Sequence, residues 1–528
     1  MNAIVYVILC LAAGADDKPA PFAIRVIDDE TGRGVPLVEL KTTASVVYVT
    51  DSNGVVAFDE PGLMNQKVWF AVSSHGYELD KDGFGLRGRA LDVVPGGSAT
   101  IKIKRQNIAQ RIYRVTGAGI YRDSVLVRRG SPDPAERPTA GFPAPPIEQP
   151  LLSAKVVGSD SVQTAIYQGK LRWFWGDTLR PAHLLGLFHV PGAVSELPEH
   201  GGLSPDKGVN LKYFVGDDGF ARATCQMPGD GLTWIQSVTC VPDASGKEVL
   251  LGFYMKVRAP LSVYRHGICR WNDDKEAFEH AVDIAENSPI VPLGHTFVHE
   301  DHGTKYVYFG DPYPVARVPA TAEQFLELSQ YEAFTCLTSG SRVGKHKIER
   351  DAAGRLAWGW KKNTSPVDAM SEPGLLNVGL LKPEECRYRT VDAEGEHIVA
   401  HRGSVNWNDY RKKWIAIFTQ YGGTSMIGEI WYAEADALTG PWTKAVKIVT
   451  HDNYSFYNPL HHRYFDEDGG RVIYFEGTYT HTFSGNDYQT PRYDYNQVMY
   501  KLELDDTRLR FAQQTAAEGR EARNPKPE

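Results

Sequence analysis

Between residues 160 and 178, DSVQTAIYQGKLRWFWGDT, two sets of positions alternate. Val162, Thr164 and Ile166 fall on one side of an extended chain, and Gln163, Ala165 and Tyr167 on the other. That two-residue period is the signature of a strand. Gln168-Gly169 supplies a tight turn, and residues 171–175 return as an aromatic strand. A hairpin brings its two open ends together. Asp160, before the first strand, and Asp177, after the second, are therefore expected at one edge of one sheet.

The design recurs along the chain. Residues 235–241 and 249–255 flank a turn at 242–247, and 295–299 and 306–311 flank one at 300–305. Residues 404–407 and 414–420 flank 408–413, and 460–465 and 472–476 flank 466–471. Each copy starts half-apolar, turns through Asp, Gly and Lys, and returns aromatic. Third strands follow at 427–433 and 496–502. Five recurrent sheets with unequal insertions predict a β-propeller. The segment 111–127 precedes the first copy and is placed to close the ring, with a strand expected at 119–127.

The first hundred residues are patterned differently. Short strands at 22–27, 35–42, 55–58, 67–73 and 99–104 alternate with polar turns, the spacing of a small β-sandwich. Residues 131–150 carry seven prolines, which exclude a central strand or helix interior and predict an exposed loop. The fold class is thus all-β: a small N-terminal β-sandwich over 21–105, then a five-bladed β-propeller over 110–510. A polar, disordered tail is expected at 511–528.

At 528 residues the chain exceeds a single ordinary core. With a net charge of −8 and no basic stripe, nucleic acid is not expected as a partner. Residues 3–13 form an apolar run too short to span a bilayer comfortably, followed by Ala13-Gly14-Ala15, a small-x-small cleavage pattern. A signal peptide over 1–15, and a secreted or periplasmic protein with no integral span after cleavage, are expected. Of the six cysteines, Cys225, Cys240, Cys269, Cys336 and Cys386 lie beyond that leader. Their scatter fits neither a disulfide framework nor a zinc site, and an oxidising compartment leaves one or two disulfides open.

Two resemblances add to this reading. T-G-x-G-V-P-x-V-x-L from Thr31, Thr50-Asp51-x-x-Gly54 and Ser74-x-Gly76-Tyr77 resemble a carboxypeptidase-regulatory or transthyretin-like domain. WFWGDT at 173–178, AEADALTGPW at 433–442 and YFEGTYT at 474–480 resemble secreted bacterial five-bladed propeller proteins related to glycoside hydrolases. Their characterised analogues are arabinanase, β-xylosidase and invertase-type enzymes. In that fold, inner strands start at the ligand-binding face and second strands return to it. The resemblance therefore gathers Asp160, Trp234, His295, Arg402 and Asn458 from strand starts. It gathers Asp177, Asp311, Gln420 and Glu476 from strand ends, and Glu429 and Asp494 from the starts of third strands.

Glycoside hydrolysis needs one carboxyl to protonate the leaving oxygen and another, ionised, to attack the sugar or activate water. Asp160 stands at the position of the family's base or nucleophile and is expected to be the ionised partner. The family's acids in blades two and three have no counterpart here, so Glu429 or Glu476 is expected as proton donor. Asp177, Trp175, Trp234, His295, Arg402, Asn458 and His461 are the expected substrate-binding residues, with Trp173 as a further stacking ring. Asp177 also suits a turn cap, and Asp311, before Pro312, a turn. No organic cofactor is implied. A structural calcium, held by His295 or the His461-His462 pair with Asp160, is the one metal considered. The expected function is that of a secreted carbohydrate-active protein, a glycoside hydrolase acting on a polysaccharide or oligosaccharide. The alternatives are a non-catalytic glycan-binding propeller and a structural assembly module.

Overall fold

A computed structural model describes residues 20–129, 141–344 and 347–513. The expected leader 1–15, residues 131–140 of the proline-rich stretch and residues 514–528 of the tail lie outside the described residues.

The first strands form two four-stranded sheets. One runs Val55–Phe58, Phe22–Asp28, Ser98–Arg105, Tyr77–Glu78, and the other Val47–Val49, Glu39–Thr42, Gln66–Ser73, Gly88–Val93. In Gln66–Ser73 the alternation buries Val68, Phe70 and Val72 and exposes Lys67, Ala71 and Ser73. The buried set meets Ile24, Val26, Ile101 and Ile103 in one core. The strand expected at 35–42 begins only at Glu39. Ahead of it the Thr50 hydroxyl takes the place of ladder bonds, donating to the Val35 carbonyl at 2.7 Å and accepting from the Val38 N–H at 2.9 Å.

Of the seven sheets that follow, five are blades, with inner strands Gln163–Tyr167, Leu232–Pro242, His295–Asp301, Ala400–Asn408 and Ser455–His461; the other two are small, Gly158–Ser159 with Thr178–Arg180 and His183–Leu187, and Thr390–Val391 with His397–Ile398. The five inner strands surround a central cavity of about 510 Å³, lined from every blade by residues such as Gln163, Val238, His295, Asn406 and His461. Each gap between neighbouring blades holds its own hydrophobic core. Phe174 and Tyr254 meet between the first and second, Phe253 and Phe309 between the second and third, and Tyr308 and Phe418 between the third and fourth. Ile417 and Phe475 meet between the fourth and fifth, and Trp173 and Tyr474 between the fifth and first. The strand Gln110–Arg114 completes the fifth sheet by pairing antiparallel with Asn496–Glu503. The ring is closed by a segment from before the first blade, which supplies the outermost strand of the fifth sheet.

Three local expectations differ. Residues 119–127 do not form a strand, because Arg122–Arg129 is a helix. Its first turn is anchored from outside: the Asp51 carboxylate accepts the Ser124 N–H at 2.7 Å, and Asp123 accepts that of Ala57 at 3.0 Å. Val127 then packs on Ala23, Val55 and Ala57. Tertiary contact outweighs the β-preference of its valines. The fifth inner strand is Ser455–His461 rather than 460–465, and the chain past it coils into short turns at Arg463–Phe465 and Asp468–Gly470. The expected tail begins as a helix, Arg510–Gln513, with Leu509 and Ala512 buried against the outer strands of the fourth and fifth sheets.

The five cysteines named above are all free. Among the described residues no helix is long and apolar enough to cross a membrane.

Candidate active site

Bulges organise the open end of the propeller. Three of the five inner strands lose register at the same level, between Ile235 and Ser237, between Ala400 and Gly403, and between Tyr457 and Leu460. A bulge re-aims the residue it carries. Here the bulged residues include Gln236, Arg402 and Asn458. Arg402 donates to the Gln236 side chain at 3.0 Å, and its Nε lies 3.7 Å from Asp311. Asn458, at φ 51°, donates to Ser161 Oγ at 2.7 Å, and His295 bonds the Asn458 backbone. Blades one to five are thus tied together around one opening.

Asp160 and Asp177 lie side by side in this ring. The Asp160 N–H donates to the Asp177 carbonyl at 3.2 Å, and the Gly176 N–H to the Asp160 carbonyl at 2.8 Å. The Tyr457 hydroxyl donates to Asp160 Oδ2 at 2.9 Å, and Tyr495 bonds the same carboxyl. Burial and then the neighbouring Asp177 charge push the Asp160 carboxyl up to about 7. Burial also raises Asp177, opposed by the Trp234 indole N–H at 3.1 Å. A Cβ at Gly176 would stand 2.2 Å from Asp160 Oδ1, so only glycine lets the carboxyl lie over the backbone there. Phe483, half exposed, meets the Tyr457 ring edge-on at 5.9 Å, so that an apolar surface borders the pair.

Not every expected residue joins this group. Asp160, Asp177, Trp234, His295, Arg402 and Asn458 do. His295 is buried and neutral, pushed down to about 3 by burial and by nearby positive charge. Trp175 does not join it: fully buried, it stacks on the equally buried Trp173 at 6.1 Å within the core between blades one and five. Neither ring can meet a sugar from there. His461 is buried against the central cavity, with Nε2 2.7 Å from Asp466.

Glu429 and Glu476 lie elsewhere. Glu429 has no exposed surface and is held by Thr424 at 2.7 Å, Thr450 at 2.9 Å and Lys447 at 3.0 Å. Glu476 is paired in register with Leu460 and Met499 and is equally buried. Its oxygens make no hydrogen bond, and His462 Nε2 stands 3.3 Å away. Burial raises Glu476 well above the carboxylate range and lowers His462 to about 3, so burial disfavours the charged form of each. In these positions neither glutamate can pass a proton to a bound glycan.

A prediction follows for Glu476→Gln. A neutral carboxyl and an amide have nearly the same shape, so the variant should retain the parent's turnover. A raised pKa means the stabilising proton is lost as pH rises through the folded value. The variant should therefore gain in relative stability as pH increases, read by denaturant midpoints at pH 6 and at pH 9. Loss of turnover would return Glu476 to the reacting groups.

Sequence reasoning missed Gln236, Tyr457, Tyr495 and Phe483. One signal was present: Asn458-Pro459, a turn-forming pair inside an otherwise extended run, marks the bulge beside Tyr457. Among the described residues no group of three or more His, Cys, Asp or Glu side chains is placed to hold a metal ion.

No protein-family model matches the chain, and no curated protein matches its sequence. Similar solved structures include a mutant α-L-arabinofuranosidase of Fusarium graminearum in complex with an iminosugar inhibitor. It has 12% identity and a TM-score of 0.34 over 67% of this chain and 94% of that one. A GH43_1 enzyme of Xanthomonas citri complexed with xylotriose has 10% identity and a TM-score of 0.33, over 67% and 88%. An α-L-arabinanase of Penicillium chrysogenum complexed with arabinobiose has 13% identity and a TM-score of 0.32, over 66% and 94%. Similarity at this level carries no functional argument.

Proposed function

We propose that the chain is a carbohydrate-active hydrolase that cleaves glycosidic bonds of a polysaccharide or oligosaccharide at the open end of the propeller. The observation that carries this reading is the Asp160–Asp177 pair, joined through the backbone, in which burial and the Asp177 charge push Asp160 up to about 7 and burial raises Asp177. Such a pair holds one proton near neutral pH, which is the state glycoside hydrolysis requires.

The surroundings divide the roles. Asp160, pushed up to about 7 by burial and by Asp177 against the opposing Tyr457 and Tyr495 bonds, holds the proton, with the Tyr457 hydroxyl fixing its orientation. Asp177 accepts the Trp234 N–H, a bond that favours its ionised form. Asp160 then protonates the leaving oxygen, and Asp177 attacks the sugar or activates water. This reverses the expectation that Asp160 is the ionised group, because a position at a strand start does not reveal burial. Arg402, Gln236 and Asp311 form a polar array suited to sugar hydroxyls, and Phe483 offers a ring for stacking.

The test is hydrolysis of a panel of neutral glycans, followed by reducing-end release. The pH profile is specific. Because the shared proton leaves as pH rises through about 7, kcat/KM should fall on that side. A fall already complete at the ordinary carboxylate pKa of about 4 would place the donor elsewhere. The reading of the protein as exported belongs with this proposal, and N-terminal sequencing of the mature chain checks it: a start near Asp16 is expected, and retention of Met1 counts against it.

A further inference from the structure

Where the sandwich meets the propeller, a cleft of about 450 Å³ opens between residues of the Ser73–Glu78 segment and the chain around Tyr454, Tyr479 and Tyr488. Its size is that of a small-molecule pocket, and domain junctions are where such pockets concentrate. None of the residues around Asp160 lines it. We propose that this cleft is a second binding site, for a neutral saccharide.

The cleft is built rather than incidental. The Arg111 side chain, from the closing strand of the propeller, donates to the Pro36 carbonyl at 3.0 Å and the His75 carbonyl at 3.2 Å. Asn107 accepts the Thr450 N–H at 2.9 Å. These bonds hold the two walls in place, so a ligand meets a preformed site and little ordering cost. Beneath it Tyr454 and Tyr479 stack with centroids 4.5 Å apart, and His75 lies 5.2 Å from Tyr454. Tyr488 stands at the rim, 43% exposed. Tyr77 lines the same cleft, and its buried hydroxyl has no hydrogen-bond partner.

Charge selects the ligand class. No Lys or Arg lines the cleft, so an anion would find no counter-charge. Of the three acids in the cleft, Asp452 is exposed to solvent and the other two are engaged. Glu78 pairs with Arg87 at 3.1 Å, and burial raises Glu39, which bonds Tyr488. His75 is held neutral, down to about 3, by burial and by Arg111. Aromatic faces, hydroxyls and carboxyl acceptors without free positive charge suit a ligand with many hydroxyls and no charge.

The experiment is native electrophoresis of the full chain carrying Asp160→Asn, so that hydrolysis does not consume the ligand. Gels contain soluble arabinan, xylan or galactan, or the anionic polygalacturonate. Retardation is expected in at least one neutral gel. It should fall severalfold with Tyr488→Ala, a substitution at an exposed ring, and with Glu39→Gln, and persist with Arg402→Ala. Retardation lost with Arg402→Ala but unchanged by Tyr488→Ala and Glu39→Gln would place the glycan at the propeller opening and overturn the proposal. So would retardation in none of the neutral gels, or in polygalacturonate alone. Activity of the parent on the same glycans is read separately, so failure here leaves the catalytic reading standing.

Discussion

Replacing Asp160 by Asn is expected to lower kcat/KM by about a hundredfold or more, the scale for loss of a positioned proton-transfer group, with the fold intact. Asparagine keeps the volume and can still accept the Tyr457 hydroxyl bond. It cannot carry a transferable proton. It also removes a carboxyl that burial and Asp177 already keep from ionising, so no stabilising ion pair is lost. The measurement is initial rate on the panel glycan beside a denaturation curve. Wild-type turnover in a folded Asp160→Asn protein would end the proposed mechanism. An unfolded variant is met by Asp177→Asn, which keeps its acceptor for the Trp234 N–H and should lose activity on the same scale.

The largest structural effect is expected at Trp442. In sequence it closes the Leu-Thr-Gly-Pro-Trp motif that carries much of the resemblance to hydrolase propellers. In the structure it is fully buried between blades three and four, stacked on Tyr313 at 5.0 Å, with Tyr313 stacked in turn on Tyr388 at 5.1 Å. Tyr313 lies two residues beyond Asp311, the partner of Arg402. Trp442→Ala removes one of the largest side chains from a closed core and should cost about 3–5 kcal/mol. Chemical denaturation checks this, with Trp442→Phe as the milder control. Weaker substrate affinity in whatever Trp442→Ala protein folds would show the link from packing to the site. A cost below about 1 kcal/mol would mean the gap collapses freely, contrary to a well-packed core.

The Asp160–Asp177 neighbourhood was legible because it depends on one local fact. A two-residue turn brings the ends of its two strands together, whatever the rest of the chain does. Four of the five hairpins were legible for the same reason, since each writes its own period and turn, while the inner strand of the fifth, Ser455–His461, lies ahead of the one expected at 460–465. The glutamates were not. In a propeller the faces of a blade pack against neighbouring blades, so an acid in an apolar strand can lie between sheets as readily as at the opening. Glu476 and Trp175 both lie between blades, where burial is complete. The helix at Arg122–Arg129 was misread because its anchors, Asp51 and Ala57, come from a segment about seventy residues earlier.

By itself, then, the sequence determined the strands, the turns, the split into a short sandwich and a longer repeated part, and the meeting of Asp160 with Asp177. Alternation and turn chemistry are local and act within a few residues. Only the tertiary structure decided which residues face the opening and which are sealed between blades. It also decided that Gln236, Arg402 and Asn458 turn toward a common centre. Those outcomes rest on bulges and on contacts such as Arg402 to Gln236, which join residues 166 positions apart. No local pattern encodes such a pairing, because its free energy is realised only when the ring of five sheets has closed.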